Sequence, residues 1–435
     1  MPNRLTKHLD AALAVLREGA LVVAFSGGMD STALLHALSA SPRARTRELR
    51  AIHVDHQLHV DSARWAEHCR GFAAQLDVPI EIVRVEVERG GSGLEDAARR
   101  ARMAAFERML RPGEILALAQ HRDDQAETVL LKLLRGAGPE GLGGMRMLRE
   151  FGRGSLWRPL LDLPQSTLRA YTQAHALRWI DDPSNTHTQL RRNFLRHEIL
   201  PRLAQRWPDA NIAIAHTAVA SRAAAEFIEA EARKSLARLQ GLDPATLNWR
   251  GWLELPNALR DPVLRAWLRE LGLDEPAHFH VRELERQLHE AEEDRTPCIA
   301  FAHTELRRYR TLLYAMCPTT PSPENWHVDW DGTQPLHLPD GSALALQPPR
   351  QVDPPLRVTY RSGGERLKPS GTAHTRELRL LLQEAGVPPW QRAHLPLVWR
   401  GDTLLAVGDL FLSDAGAAWC DAASTRIVWE TPRQH

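Results

Sequence analysis

Four times before Arg135 a short apolar run is followed by a helical pattern, and this alternation limits the fold more than any other feature. The runs are Leu21–Phe25, Leu49–Val54, Ile80–Val85 and Ile115–Ala119. The patterns that follow them are Ser31–Ala40, Asp61–Leu76, Leu94–Leu110 and Asp123–Arg135. Strand–helix alternation of this kind predicts an α/β, doubly wound (Rossmann-like) parallel sheet covered by helices on both faces. Ligands of such sheets lie beyond the carboxyl ends of the strands. The loops SGGMDS (Ser26–Ser31), DHQLHVDS (Asp55–Ser62) and QHRDDQAE (Gln120–Glu127) are therefore expected to converge on one crevice.

Past Trp157 the pattern changes to helices and loops. One long helix is expected over Asn211–Leu239, with others near Pro262–Leu271 and Val281–Ala291, making a helical middle domain. PTTPSP (Pro318–Pro323) reads as a linker. Beyond it, short strand-like runs with turns at Asp331-Gly332 and Asp340-Gly341 predict a small, mixed, β-rich C-terminal domain. The expected domains are residues 1–208, 209–317 and 324–435.

Within SGGMDS, Gly27 and Gly28 let the backbone bend off the strand and come close to an anion. The helix behind them offers free N–H groups and its positive dipole end. Ser26 and Ser31 add hydroxyls. There is no lysine of the usual GxxxxGK[ST] phosphate loop; an aspartate stands in its place. Asp30 either caps the helix or shares a Mg²⁺ with the phosphates.

A chain of 435 residues with net charge +1 does not by its total charge call for a nucleic acid partner. Only Lys7, Lys132, Lys234 and Lys368 are lysines, so any anion bound is to be held mostly by arginine forks. The cysteines Cys69, Cys298, Cys317 and Cys420 are scattered, with no C-x-x-C pair, which argues against a zinc or iron–sulfur site and for a reducing, cytoplasmic setting. No apolar run reaches the length of a membrane span, and no membrane partner is expected.

SGGMDS resembles the pyrophosphate loop (PP-loop) of the N-type ATP pyrophosphatases, which adenylate a substrate oxygen and release diphosphate. The later stretches narrow this. HVDHQLHVDSARWAEHC (His53–Cys69), LEDAARRARMAAF (Leu94–Phe106), LALAQHRDDQAETVLLKLLRGAGPEGLGGM (Leu116–Met145), RPLL (Arg158–Leu161) and WIDDPSNTHTQLRRNFLRHEILPRL (Trp179–Leu203) together resemble the tRNA(Ile)-lysidine synthases. So does YRSGGERLKPSGTAHTRELRLLLQEAGVPPWQRAHLPLV (Tyr360–Val398), which matches that family's terminal domain. Two positions depart from the family pattern. Gln120 stands where His-His is common before the acidic pair, and Asp55 stands where the second loop often has Asn. If the missing histidine binds ATP phosphates, Gln120 or His121 takes over that task.

The resemblance implies a ligase. ATP adenylates O2 of the wobble cytidine in a tRNA(Ile) bearing CAU. Free L-lysine then attacks C2, giving lysidine, AMP and diphosphate, and the codon read changes from AUG to AUA. It implies ATP binding by Ser26, Gly27, Gly28, Met29, Asp30 and Ser31, with Asp30 as the Mg²⁺ ligand. Asp124 and Glu127, at i and i+3 on one helix face, are implied to hold the lysine and take its proton; the plainer alternative is that acids here only favour a helix N-terminus. Asp123 reads as the cap. Arg100 and Arg192 are implied to neutralise the α-phosphate or the adenylate. The competing enzyme reading is a PP-loop tRNA thiolase, which needs sulfur-carrying cysteines; Cys69 reads as a core residue instead. A catalytically lapsed ATP- and tRNA-binding protein is the alternative outside enzymes.

RNA contact demands a local positive surface, not a positive total. From Leu356 to Arg400 there are seven arginines and one lysine against three glutamates. Arg361, Arg366, Lys368, Arg376, Arg379 and Arg392 are the candidates, with Tyr360 as a stacking ring and Trp390 as a core anchor. The sequence leaves the oligomeric state open, a homodimer among the options.

Overall fold

The computed structural model describes residues 3–87, 94–183, 189–291, 296–318, 323 and 326–430. Of the linker expected at Pro318–Pro323, residues 319–322 lie outside the described residues. The chain divides into two compact units, Met1–Phe227 and Ile228–His435.

The first unit is built on six strands: β1 (Leu21–Ala24), β2 (Arg50–Asp55), β3 (Ile80–Arg84), β4 (Ile115–Ala117), β5 (Leu148–Phe151) and β6 (Gly154–Trp157). Their order in the sheet is β3-β2-β1-β4-β6-β5, all parallel except β5, which returns antiparallel beside β6. Helices α1 (Asn3–Val15), α2 (Met29–Ser39), the short α3 (Pro42–Arg45), α4 (Ser62–Gln75), α5 (Leu94–Met109), α6 (Arg122–Leu133), the short α7 (Pro139–Leu142) and α8 (Gln165–Ala174) accompany them. A further run comprises α9 (Arg191–Phe194), a π-helical turn at Leu195–Ile199 and α10 (Leu200–Arg206). After it α11 (Ala210–Leu239) begins.

β1 has a strand on each side and a helical layer on each face, which is why it reads as an unbroken apolar run. Alternate residues serve alternate faces. Val22, Ile52, Leu116 and Leu156 pack with Phe106 and Leu110 of α5 and the turn after it. Val23, Ala51, Ile115 and Ala117 pack against Leu5 and Leu9 of α1, Leu34 and Leu38 of α2 and Leu168 of α8. Each fully buried leucine contributes about 1.5–3 kcal/mol, so this double core fixes β1 firmly.

The chain steps from β1 to β2 on one side and reaches β4 on the other. The strand order therefore reverses at β1, and the loops leaving β1 and β4 diverge to opposite faces, opening a crevice between them. The sequence reading contained the first four strands. It did not contain the β5–β6 hairpin.

In the second unit the expected helical middle is present as the rest of α11, α12 (Trp249–Glu254), α13 (Asn257–Glu270) and α14 (His278–Glu290). It carries in addition an antiparallel sheet of Thr246–Asn248, Leu312–Met316, Thr304–Tyr309 and Cys298–Phe301, in that order. Trp252, Trp267 and Leu313 are fully buried between the two. The C-terminal part is mixed and β-rich. Its largest sheet is antiparallel, with His327–Trp330, Leu356–Thr359, Leu397–Arg400, Thr403–Val407 and Phe411–Leu412 side by side.

Candidate active site

Gly27 takes φ +82°, and a side chain there would strike Ile180 Cδ1 at 2.5 Å and Cys69 Sγ at 2.9 Å. Only glycine lets the chain leave β1 along this path. Its carbonyl accepts the Ile180 N–H at 2.9 Å, which ties a later segment over the loop. Gly28 occupies the N-cap position of α2, and no side chain caps that helix; its start faces the crevice with Met29, Asp30 and Ser31 in the first turn. Ser31 Oγ donates to Gly28 O at 3.0 Å and lies 3.0 Å from Ser26 Oγ. The hydroxyls thus brace the loop. Asp30 is not the cap: its carboxylate accepts from Gln165 Nε2 at 3.3 Å and lies 3.5 Å from His121 Nε2.

The loop after β4 supplies the opposite wall. His121, not Asp123, caps α6: its Nδ1 accepts the Asp124 N–H at 3.4 Å, and Asp124 Oδ2 accepts the His121 N–H at 3.0 Å. With Nδ1 accepting, the proton of the neutral ring sits on Nε2, which faces Asp124 at 3.4 Å and Asp30 at 3.5 Å. Burial lowers the pKa of this histidine, but contact with Asp30 and the charges of Asp124 and Asp123 outweigh burial and hold it above the ordinary value. Asp123 is a tether instead. It accepts from Gln165 N at 2.7 Å and from Asn211 Nδ2 at 2.6 Å, fastening α6 to α8 and α11.

Asp124 and Glu127 share one face of α6, as their spacing predicts, and two arginines close on them. Arg192 Nε donates to Glu127 Oε2 at 2.7 Å. Arg196 Nε donates to Glu127 Oε1 at 2.6 Å, and its Nη2 donates to Asp124 Oδ1 at 2.9 Å. The Glu127 side chain is 1% exposed and that of Asp124 14%. Arg196 was not anticipated from the sequence. It lies one turn beyond Arg192 and in the π-helical turn, so the i, i+4 spacing from Arg192 was the only signal that pointed to it.

Arg100 is not brought into this cluster. It is exposed on α5, where it lines a shallow depression with Asp96, Arg99, Met103 and Glu107. Arg102 of the same helix carries its charge near His56: burial, reinforced by that charge, pushes the His56 imidazole down to about 4. His53 Nδ1 donates to Phe25 O at 2.9 Å, and the residue is buried, as a structural residue would be. Burial also pushes the Cys69 thiol up to about 12, which leaves no thiolate at neutral pH.

Gln120 Oε1 accepts from Arg158 Nε, and Arg158 also donates to Arg146 O at 2.8 Å. Arg158 is buried, and its pKa falls to about 10 through burial and the charges of Arg149, Arg99 and Arg222. A concentration of arginines thus lies beside the crevice in the first unit.

In the second unit the C-terminal candidates divide. Arg366 and Arg379 are exposed, and among the described residues no carboxylate stands within ion-pair distance of either. Arg361 is engaged by Glu365, Lys368 by Asp414 at 2.9 Å, and Arg376 by Glu384. Arg392 is spent on structure, donating to Val387 O at 2.8 Å and Tyr309 Oη at 3.1 Å. Tyr360 is buried beside Trp326 and offers no free face for stacking. Trp390 is a core anchor, edge-on to Tyr314 at 5.4 Å.

Three family descriptions match the chain: a PP-loop domain over residues 1–203, a TilS substrate binding domain over 247–314 and a TilS substrate C-terminal domain over 356–429. The tRNA(Ile)-lysidine synthase of Xanthomonas campestris pv. campestris is 46% identical over 94% of this chain and 95% of its own length. That of Xylella fastidiosa is 43% identical over 94% and 95%, and that of Pseudomonas aeruginosa 41% over 98% and 97%. With the PP-loop domain, the substrate binding domain and the C-terminal domain matched in order, and with these relatives aligned over 94% or more of it, this chain belongs to the tRNA(Ile)-lysidine synthase family.

Proposed function

We infer that this protein ligates L-lysine to C2 of the wobble cytidine of a CAU-bearing tRNA(Ile), through an adenylated tRNA, with ATP as the co-substrate. The observation that carries this reading is the meeting of three chemistries in one crevice: an uncapped, glycine-led helix start, an acidic pair on α6 and two arginines across from that pair.

Each half-reaction makes a demand that these groups answer. The cytidine O2 is a poor leaving group, so it attacks the α-phosphorus and diphosphate departs. The amides at the start of α2, with Ser26 and Ser31, receive that diphosphate. Arg192 and Arg196 offset the charge remaining on the adenylate. Lysine is next, with a side-chain pKa of about 10.4, so it arrives as the ammonium. Asp124 and Glu127 hold it, and Asp124, the more open of the two, takes the proton that Nζ must lose. Nζ then bonds to C2, the C2–O2 bond breaks, and AMP leaves carrying the oxygen.

Mg²⁺ fits Asp30. This hard oxygen donor is partly exposed beside the phosphate loop, and magnesium is commonly held by one or two carboxylates together with substrate phosphates. Such an ion supplies charge neutralisation to the phosphates when bound.

The labour divides by domain in this reading: residues 1–208 for catalysis, 209–317 for positioning the tRNA and 324–435 for gripping it. Arg366 and Arg379 are the C-terminal contacts best placed for phosphates, both being exposed.

The test is incorporation of labelled lysine into unmodified CAU tRNA(Ile) with ATP and Mg²⁺, with AMP followed in parallel. Label in the tRNA that is lost when the wobble cytidine is replaced supports the reading. AMP without label transfers the second step to another nucleophile. Neither product means a lapsed binder, and the reading fails.

A further inference from the structure

The carboxylates assigned to the lysine ammonium are already occupied by the protein's own cations. Glu127 receives Arg192 Nε at 2.7 Å and Arg196 at 2.6 and 3.0 Å, and Asp124 receives Arg196 at 2.9 Å. Asp124 and Glu127 thus already have two guanidiniums on their oxygens before any substrate arrives, and His121 and Asp30 lie beside Asp124 on the same wall. An ammonium entering here competes with Arg192 and Arg196 for the same carboxylate oxygens, and in a largely buried site the repulsion among these cations is only weakly screened. A phosphate monoanion gives the displaced guanidiniums a partner. It also offers the guanidinium forks a geometry they match in two-point fashion.

Arg196 is the pivotal member. It bridges both acids, whereas the close contact of Arg192 is to Glu127, its distance to Asp124 Oδ1 being 3.6 Å. It also stands in the π-helical turn Leu195–Ile199, inserted between the regular turns of α9 and α10. Such turns widen the helix locally and are frequent where a side chain must be re-aimed.

We propose that Arg196 is a positioning residue that couples lysine entry to the presence of the adenylate: it fills the ammonium subsite until a phosphoryl anion draws it, with Arg192, off the acids. The proposal rests on the reading of Asp124 and Glu127 as the lysine subsite. Lysine is thereby kept out until the nucleotide is in place. Linkage makes the effect reciprocal, so lysine tightens the nucleotide by the same factor.

The experiment is calorimetric titration of L-lysine into the full chain, with and without saturating AMP, for the wild type, R196Q, R196K and E127Q. The wild type is expected to bind lysine roughly tenfold or more tightly with AMP, and AMP to bind more tightly by the same factor with lysine. R196Q is expected to bind lysine without AMP about as well as the wild type does with it, and to lose the AMP dependence. R196K is expected to retain that dependence. A wild type indifferent to AMP, or an R196Q that binds lysine more weakly than the wild type when AMP is absent, overturns the coupling. The wild-type comparison needs no variant and decides the matter even if R196Q folds poorly. E127Q that leaves lysine affinity unchanged under every condition points instead to a failure of the subsite assignment, a different result from loss of coupling.

Discussion

The two glycines of the phosphate loop, adjacent in sequence, should respond oppositely to alanine. At Gly27 the backbone lies at φ +82°, where an L-residue costs about 1–2 kcal/mol. The new methyl would also sit 2.5 Å from Ile180 Cδ1 and 2.9 Å from Cys69 Sγ, the latter in the packed core. Overpacking of that kind costs about 1–3 kcal/mol. Gly27→Ala is therefore expected to destabilise the first unit by about 2–5 kcal/mol, or roughly 5–15 °C in its melting temperature. Gly28 has φ −74° and ψ 165°, which any residue adopts, and the nearest atom to its added methyl is Ser26 Oγ at 3.5 Å. Gly28→Ala should melt with the wild type, so any rise in its KM for ATP measures crowding of the ligand alone. Differential scanning fluorimetry with parallel AMP-release kinetics separates the two. A Gly27→Ala protein that melts like the wild type, or a Gly28→Ala protein that melts as low as Gly27→Ala, would refute this account of the loop.

Other outcomes follow from the geometry. Glu127→Gln should retain AMP formation on tRNA while lowering lysine transfer at least about 100-fold, read by parallel AMP and label assays; equal loss of both removes the assigned role. Arg366→Glu and Arg379→Glu should each weaken tRNA binding and lower the slope of log affinity against log salt by about one. An unchanged slope would take them out of the interface. Glu114 tests the electrostatics away from the site. It is buried against Arg50, with forked contacts of 2.8 and 2.6 Å. Burial alone would raise its pKa, but the Arg50 fork, the Arg111 N–H and their charges outweigh it and hold it below the ordinary value. A depressed carboxylate stabilises the fold above its unfolded pKa and loses that contribution as pH falls through the folded one. Glu114→Gln should therefore melt below the wild type at pH 7, by about 3–5 kcal/mol. The gap should close on acidification below about 4.5; a gap constant with pH would mean packing rather than charge.

The central strands and the loop were legible because their signals are local. An apolar run buried on both faces cannot be mistaken for a surface segment, and Gly-Gly after it leaves few backbone paths. The acidic pair was legible for the same reason, its i, i+3 spacing surviving in α6. What escaped depends on tertiary partners. Asp123 is a common capping residue, yet His121 holds the cap while Asp123 reaches to Gln165 and Asn211. Arg196 looks like any helix-face arginine until Glu127 is seen 2.6 Å away. Arg392 and Tyr360 stood among the RNA candidates on composition, and only packing shows one tied to Tyr309 and the other beneath the surface. The β5–β6 hairpin is missed because each strand has only four residues, joined by a turn at Gly152.

The tethers of Asp123 have a meaning for how the protein is made. The loop at residue 26 and the acids at 124 and 127 are synthesised early, but the helix carrying those acids is fastened by Gln165 and Asn211, and its counter-charges come from Arg192 and Arg196. A nascent chain with β1 to β4 already outside the ribosome has the nucleotide loop, and it also has two acids facing each other without cations to balance them. The crevice can thus exist before its chemistry does. Competence arrives late and over a short stretch, as the segment from Arg192 to Asn211 emerges and docks. Contacts this distant in sequence are slow to form, so a ribosome pausing before that segment would hold the glycine loop and the two acids of α6 without the arginines and the asparagine that later fasten them.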